Sequence, residues 1–234
     1  MSIRQLVFAT ALTASLAGAQ IAPEIHVLRA KVDSMGEELK LLERILTMRG
    51  LDVEQGRRQI ARQDSTFDIP VVGTPILGDP KAPVTLVLFT DLQCPYCAKM
   101  LPVVKQMQER NPKTLKISFR HYPLVSIHDK AMSASLALWA AGKQGKFWEY
   151  YFKATPEFRG LSDSTLVATA RELKLDLVRF EADRKSEAAR KAVELDMALG
   201  ERVGVEGTPA LFLNGKPTRN PDDIEAAIAK AEGK

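Results

Sequence analysis

The 234-residue chain is poor in the residues that hold metals and staples, with only two cysteines and three histidines. So few cysteines exclude a disulfide-stapled scaffold, which needs several bridges to replace a core. A zinc site is not expected either. Cys94 and Cys97 would have to be completed by His121 and His128, and a separation of seven lies outside the usual spacer between paired histidines. An excess of one charge is also missing: 33 Lys and Arg interleave with 29 Asp and Glu for a net +4, without a basic tract, which argues against a nucleic-acid partner. No apolar run reaches the roughly 20 residues that cross a bilayer as a helix. Repeats and low-complexity tracts are absent. What remains, at 45% hydrophobic and 26% charged, is the composition of a soluble globular body.

The first residues read as an address. Arg4 precedes the uncharged stretch Leu6–Leu16, and Ala17-Gly18-Ala19 supplies small residues at a cleavage position, so residues 1–19 are expected to be a signal peptide cut after Ala19. An uncleaved anchor is the alternative. No cysteine stands at the cut, so lipid anchoring is not indicated, and a periplasmic or otherwise exported chain is expected, where disulfides can form. Residues 20–65 read as a helical arm. Ile25, Leu28, Val32, Met35, Leu39, Leu42 and Leu46 alternate steps of three and four, the seam of a coiled coil, which makes 25–46 a candidate homo-oligomerisation segment. An amphipathic helix lying on its own domain would show the same spacing. Gly50 marks a stop, and 52–64 reads as a short helix or a linker.

The body is expected over 66–234 and reads as α/β. Val84–Phe89 is continuously apolar and branched, as a buried strand is; a helix follows from Ala98 to Arg110, then the alternating strand Leu115–Arg120. Strand, helix, strand implies a parallel crossover. Helical spacing from about 126 to 204 forms an insertion, with Ser162 and Ser186 as N-caps. Ala210–Leu213 is a short strand, Asn214-Gly215 a hairpin turn, and Asn220-Pro221-Asp222-Asp223 the start of a last helix.

The chemistry resides in Cys94-Pro95-Tyr96-Cys97, at the junction of a buried strand and a helix. A sulfur anion at a helix N-terminus faces unpaired backbone N–H groups and the positive end of the dipole, so its pKa falls. Cys94 is therefore the expected nucleophile. Cys97, one turn on, is the resolving thiol that attacks a mixed disulfide formed at Cys94 and releases the partner. No metal or organic cofactor is called for, the redox-active Cys94–Cys97 pair being sufficient. Two other readings remain open: a non-catalytic protein holding a soft metal such as copper(I) through both thiolates, and a small-molecule thiol enzyme of glutaredoxin type.

Several ordered stretches carry a resemblance. Gly78-Asp79-Pro80-Lys81-Ala82-Pro83-Val84, Phe89 through Cys97, Arg120-His121-Tyr122-Pro123-Leu124, Gly145-Lys146-Phe147-Trp148-Glu149 and Gly207-Thr208-Pro209 look like the exported DsbA-like thiol-disulfide oxidoreductases. The resemblance implies a thioredoxin fold with a helical insertion, and it places Pro209 as a cis proline against the sulfurs, with the backbone of Thr208 holding an extended client segment. It implies cysteine-containing exported proteins as clients and a membrane redox partner of unknown type. Tyr96, between the sulfurs, differs from the histidine of the best-known oxidase, while Pro95-Tyr96 is shared with a dimeric exported member and with cytosolic glutaredoxins, and Thr208 looks more like the isomerase and reductase members; a monomeric oxidase is the alternative. One departure stands out: thioredoxin-like proteins often bury an acid six residues before the first cysteine, and here that residue is Leu88. Asp91 is expected to be a turn or cap residue facing away from it, His121 and His128 to be structural or solvated, and Trp139, Phe147, Trp148, Tyr150 and Tyr151 to pack the insertion.

Overall fold

The structure is a computed structural model that describes the backbone of residues 3–54, 56 and 65–233, and the side chains among these from residue 25 on. The chain divides into two compact units, Met1–Ile60 and Ala61–Lys234. The first contains the helix α1 (Ile3–Met48), and residues 53, 54 and 56 are also helical. Its end follows from Gly50, whose φ of +76° lets Leu51 N–H return to Leu46 O and Gly50 N–H to Thr47 O. The side chains of the expected signal peptide and most of the linker 52–64 lie outside the described residues. Among the described residues, no helix is long and apolar enough to cross a membrane.

The second unit is built on a five-stranded sheet of order β1-β3-β2-β4-β5. Its strands are β1 (Ile76–Leu77), β2 (Val84–Thr90), β3 (Leu115–His121), β4 (Ala210–Leu213) and β5 (Lys216–Thr218). Only the β2–β3 pair is parallel, in the register Val84↔Leu115 to Thr90↔His121. The crossover between them is α2 (Pro95–Arg110), which starts three residues before the expected Ala98. Proline is the cause, since its fixed φ suits the first helical position and its missing N–H would have no partner there.

The apolar run Leu86–Phe89 of β2 is explained by cover on both faces. Leu86 and Leu88 join Val104 of α2 and Ile224 and Ile228 of the final helix; Val87 and Phe89 turn to the other face, with Leu199, Val203 and Phe212. Burying each such side chain contributes about 1.5–3 kcal/mol. The insertion comprises α3 (Ala131–Gly142), α4 (Phe147–Ala154), a 3₁₀ turn (Thr155–Gly160), α5 (Asp163–Glu172), α6 (Leu177–Arg184) and α7 (Glu187–Arg202). Ser162 caps α5 in a reciprocal capping box with Thr165, and Ser186 caps α7. Gly200 lets α7 approach the sheet, because a Cβ there would stand 2.5 Å from the Tyr122 ring. The two ends are tied by Asp196, which accepts from Arg120 Nη1 at 2.6 Å and from the His121 N–H at 2.9 Å. The β4–β5 turn is Asn214-Gly215, both at positive φ, and α8 (Pro221–Ala231) closes the chain.

Candidate active site

Three features converge at the start of α2. β2 ends at Thr90, the turn 91–93 brings the chain round, and Cys94 becomes the N-cap residue with φ −76° and ψ 123°. Its side chain makes no capping bond, and no acid lies in the first turn. Both cysteines are free thiols, buried to 2% and 1% exposure. The Cys94 sulfur is held down to about 5, chiefly by a hydrogen bond from the Cys97 thiol, with help from the Thr208 side chain and the backbone N–H groups of Cys97 and Tyr96, against burial. Cys97 moves the opposite way. Burial pushes its thiol far above the ordinary range, and donating to Cys94 holds its proton in place. One sulfur is thus an anion at neutral pH and its neighbour a thiol.

The loop before β4 completes the site. The Thr208–Pro209 peptide is cis, and the Thr208 carbonyl lies 3.3 Å from the Cys94 sulfur, which donates to it in the thiol form. The Thr208 hydroxyl is buried with no other partner, which leaves it to favour the ionised sulfur. Beside these groups lies a groove of about 380 Å³ lined by Tyr96, Lys99, Met100, Val103, Thr208 and Pro209. Its wall is largely apolar: Tyr96 is 67% exposed, and the Lys99 ammonium sits 5.8 Å from its ring centre. Pro95 occupies the first turn of α2. All six residues singled out in the sequence therefore meet at one place.

Beneath the sulfurs lie groups whose partners the sequence did not give. Asp91 is fully buried: Oδ1 accepts from the Gln93 N–H at 2.8 Å, and Oδ2 from the Leu124 N–H at 3.0 Å and faces His128 Nδ1 at 2.6 Å. It caps the turn, and it also clamps the loop 124–128 against the cysteine turn. Gln93 extends the clamp, donating to Asp129 Oδ1 at 2.9 Å and accepting from the Lys130 N–H at 2.7 Å. His128 is thus a structural partner of Asp91. Thr90, 1% exposed, places its hydroxyl within reach of the Cys97 sulfur and 3.2 Å from the Tyr151 hydroxyl. A threonine following the apolar run Leu86–Phe89 at the end of β2 was the one local hint of it. Leu88 is buried, so no acid occupies that position. His121 is packed on Phe119 at 5.0 Å, and burial pushes its imidazole down to about 4.

Among the described residues no group of three or more His, Cys, Asp or Glu side chains is arranged to hold a metal ion. The residues that meet here are those of a thiol exchange site: an ionised sulfur, a protonated one behind it, and an open apolar groove alongside.

Comparison with known proteins agrees with this geometry. The family described as Thioredoxin (Thioredoxin_4) matches residues 71–230. The Na(+)/H(+) antiporter NhaA 3 of Salinispora tropica is 33% identical over 191 residues, covering 79% of this chain but 29% of that protein. The chain thus spans under a third of the length of that curated relative. BdbD from Bacillus subtilis, in its oxidised form, is 25% identical with a TM-score of 0.61, covering 72% of this chain and 98% of that one. A thioredoxin-like oxidoreductase from Silicibacter pomeroyi DSS-3 superposes with a TM-score of 0.60 at 24% identity, over 69% of this chain and 93% of that one. The chain belongs to the Thioredoxin_4 family of DsbA-like thiol-disulfide oxidoreductases, with Cys94 and Cys97 as its Cys-x-x-Cys pair.

Proposed function

We propose that this protein exchanges disulfides with cysteine-containing polypeptides outside the cytoplasm, Cys94 attacking and Cys97 resolving. One observation carries the reading: a sulfur held down to about 5 at a helix start, beside an apolar groove open to an extended chain. The Cys94 thiolate attacks a client disulfide, forming a Cys94–client disulfide and releasing the other client sulfur. Thr208 and Pro209 hold the client beside the nucleophile, while Pro95 and Tyr96 shape the rim. A membrane redox partner resets the pair.

The arm supports an oligomeric isomerase or reductase over a monomeric oxidase. Ile25, Leu28, Val32, Met35, Leu39 and Leu42 are each 54–66% exposed, a continuous apolar stripe that a second copy of the same helix would cover. Several sites around a shared space favour proofreading of disulfides over their first formation. Export and removal of residues 1–19 complete the proposal.

The test is Cys97→Ala. That variant is expected to accumulate mixed disulfides with exported proteins, reversed by dithiothreitol, and absorbance near 240 nm should show a Cys94 thiolate forming near pH 5. An ordinary thiol at Cys94, or no trapped adducts, overturns exchange. Sedimentation of the intact arm as a monomer at micromolar concentration removes the isomerase argument, and then a potential nearer about −120 mV than about −270 mV assigns the oxidase.

A further inference from the structure

The resolving sulfur has no buried carboxylate behind it, yet it must ionise when it attacks. Cys97 is 1% exposed, Leu88 occupies the position six residues before Cys94, and the proton of Cys97 is held by burial and by its bond to Cys94. Two hydroxyls reach it in series. Thr90, the last residue of β2, lies beside the Cys97 sulfur, and Tyr151 of α4 lies 3.2 Å beyond Thr90. All three side chains are within 1% of full burial. Tyr151 is fixed by its ring, which stacks edge-on against Phe119 at 5.0 Å, and burial keeps its phenol protonated above its ordinary range. The backbone N–H of Asp91 also faces the Cys97 sulfur.

We propose that Thr90 and Tyr151 form a two-hydroxyl relay that positions the Cys97 sulfur and stabilises its anion during resolution. The proposal rests on the exchange reading above and assigns the group that serves the second step. In the resting pair the Cys97 thiol donates its one proton to Cys94, and the Thr90 hydroxyl donates toward the Cys97 sulfur. As Cys97 loses its proton, Thr90 keeps donating to what is now a sulfur anion, and Tyr151 donates to Thr90. A hydroxyl is both donor and acceptor, so Thr90 can accept from Tyr151 while it donates to sulfur. The step balances without any group beyond the client. The Cys97 sulfur bonds to the Cys94 sulfur, the Cys94–client bond breaks, and its electron pair leaves on the client sulfur. The proton that Cys97 releases passes by way of solvent to the leaving client thiolate, the client sulfur is reduced and the pair is oxidised. The relay holds no net proton. Both residues are therefore positioning residues for the second step. The charged groups facing this spot are the Cys94 thiolate from α2 at rest and Asp91 from the turn after β2; in the mixed disulfide Cys94 carries no charge, so Asp91 is the group that disfavours an anion there, which makes the donated hydrogen bonds count.

The test separates the two steps by following a fluorescent peptide disulfide in stopped flow, where formation of the Cys94 adduct and its resolution give separate phases. Thr90→Val, which keeps the shape and removes the hydroxyl, is expected to slow resolution about tenfold, the worth of one hydrogen bond to a charged group. It should move adduct formation less than about twofold, well under the worth of one such bond. The pH at which resolution reaches half its plateau should rise, because an anion that loses a donor is harder to form. Thr90→Ser restores the rate. Tyr151→Phe slows resolution about threefold, and the double variant is no slower than Thr90→Val alone, since Tyr151 acts through Thr90. A resolution rate and pH profile unchanged in Thr90→Val overturn the relay, and so do additive effects in the double variant. If the parent protein itself forms no adduct, it is the exchange reading that fails.

Discussion

Helices α2 and α8 begin with the same device, a capping residue followed by proline, and complete it in opposite ways. In α8, Asn220 Oδ1 accepts from the Asp222 N–H at 3.1 Å, two acids lie in the first turn, and Thr218 holds Asp223 at 2.8 Å. The open N–H groups and the positive end of the dipole are answered by oxygen. In α2 the cap is Cys94, which makes no capping bond, and no acid follows it. The N–H groups of Tyr96 and Cys97 instead favour a sulfur anion. The comparison teaches that a helix start is a local charge to be balanced: α8 balances it with permanent side chains, and α2 leaves it to a reactive group.

The largest expected effect follows from removing that reactive group. Cys94→Ser keeps a capping atom at α2 but removes the readily ionised one, and exchange is expected to fall to background in an insulin-reduction assay. The same variant sharpens the comparison through pH. A thiol pKa near 5 when folded and near 9 when free means that ionisation stabilises the reduced fold, fully above pH 9 and not at all once pH has fallen through 5. Between those limits the stability of the reduced protein should rise with pH by up to roughly 1.4 kcal/mol per unit. Urea unfolding of the reduced protein from pH 7 to pH 9, above the range in which buried His121 adds a slope of the same sign, reads this slope, which should be absent there in Cys94→Ser. An equal slope in the variant would mean that the α2 start stabilises no anion.

The two helix starts also show what was readable in advance. Asn220 with Pro221, the Asn214-Gly215 turn, the caps Ser162 and Ser186 and the apolar run of β2 all act on near neighbours, so residue type and spacing announced them. The position of Cys94 at a helix start belongs to the same class, and it carried the chemistry. The supports beneath the sulfurs belong to another. Asp91 meets His128 across 37 positions, and Thr90 meets Tyr151 across 61, so their pairing depends on how the insertion folds back over the sheet end. Strand alternation, used to turn Asp91 away from Leu88, stops applying where β2 ends at Thr90. Beyond that point the turn carries Asp91 under the loop 124–128, where backbone N–H groups meet its carboxylate. The resemblance supplied Thr208 and Pro209; no local pattern singled them out.

The smallest expected effect lies at α8. Asn220→Ala removes the oxygen that accepts from Asp222 and leaves that N–H to solvent, which is worth about 1 kcal/mol of stability. Pro221 and the acids at 222 and 223 stay in place, so the helix should survive with an earlier urea midpoint and an unchanged slope. Exchange should be unaffected, because α8 meets the sheet through Ile224 and Ile228, whereas the sulfurs depend on α2 and the loop carrying Thr208. Exchange that slowed in step with the lost stability would show that the two helix starts are coupled through the shared cluster around Leu86 and Leu88. Their division into one that holds the fold and one that does the chemistry would then no longer stand.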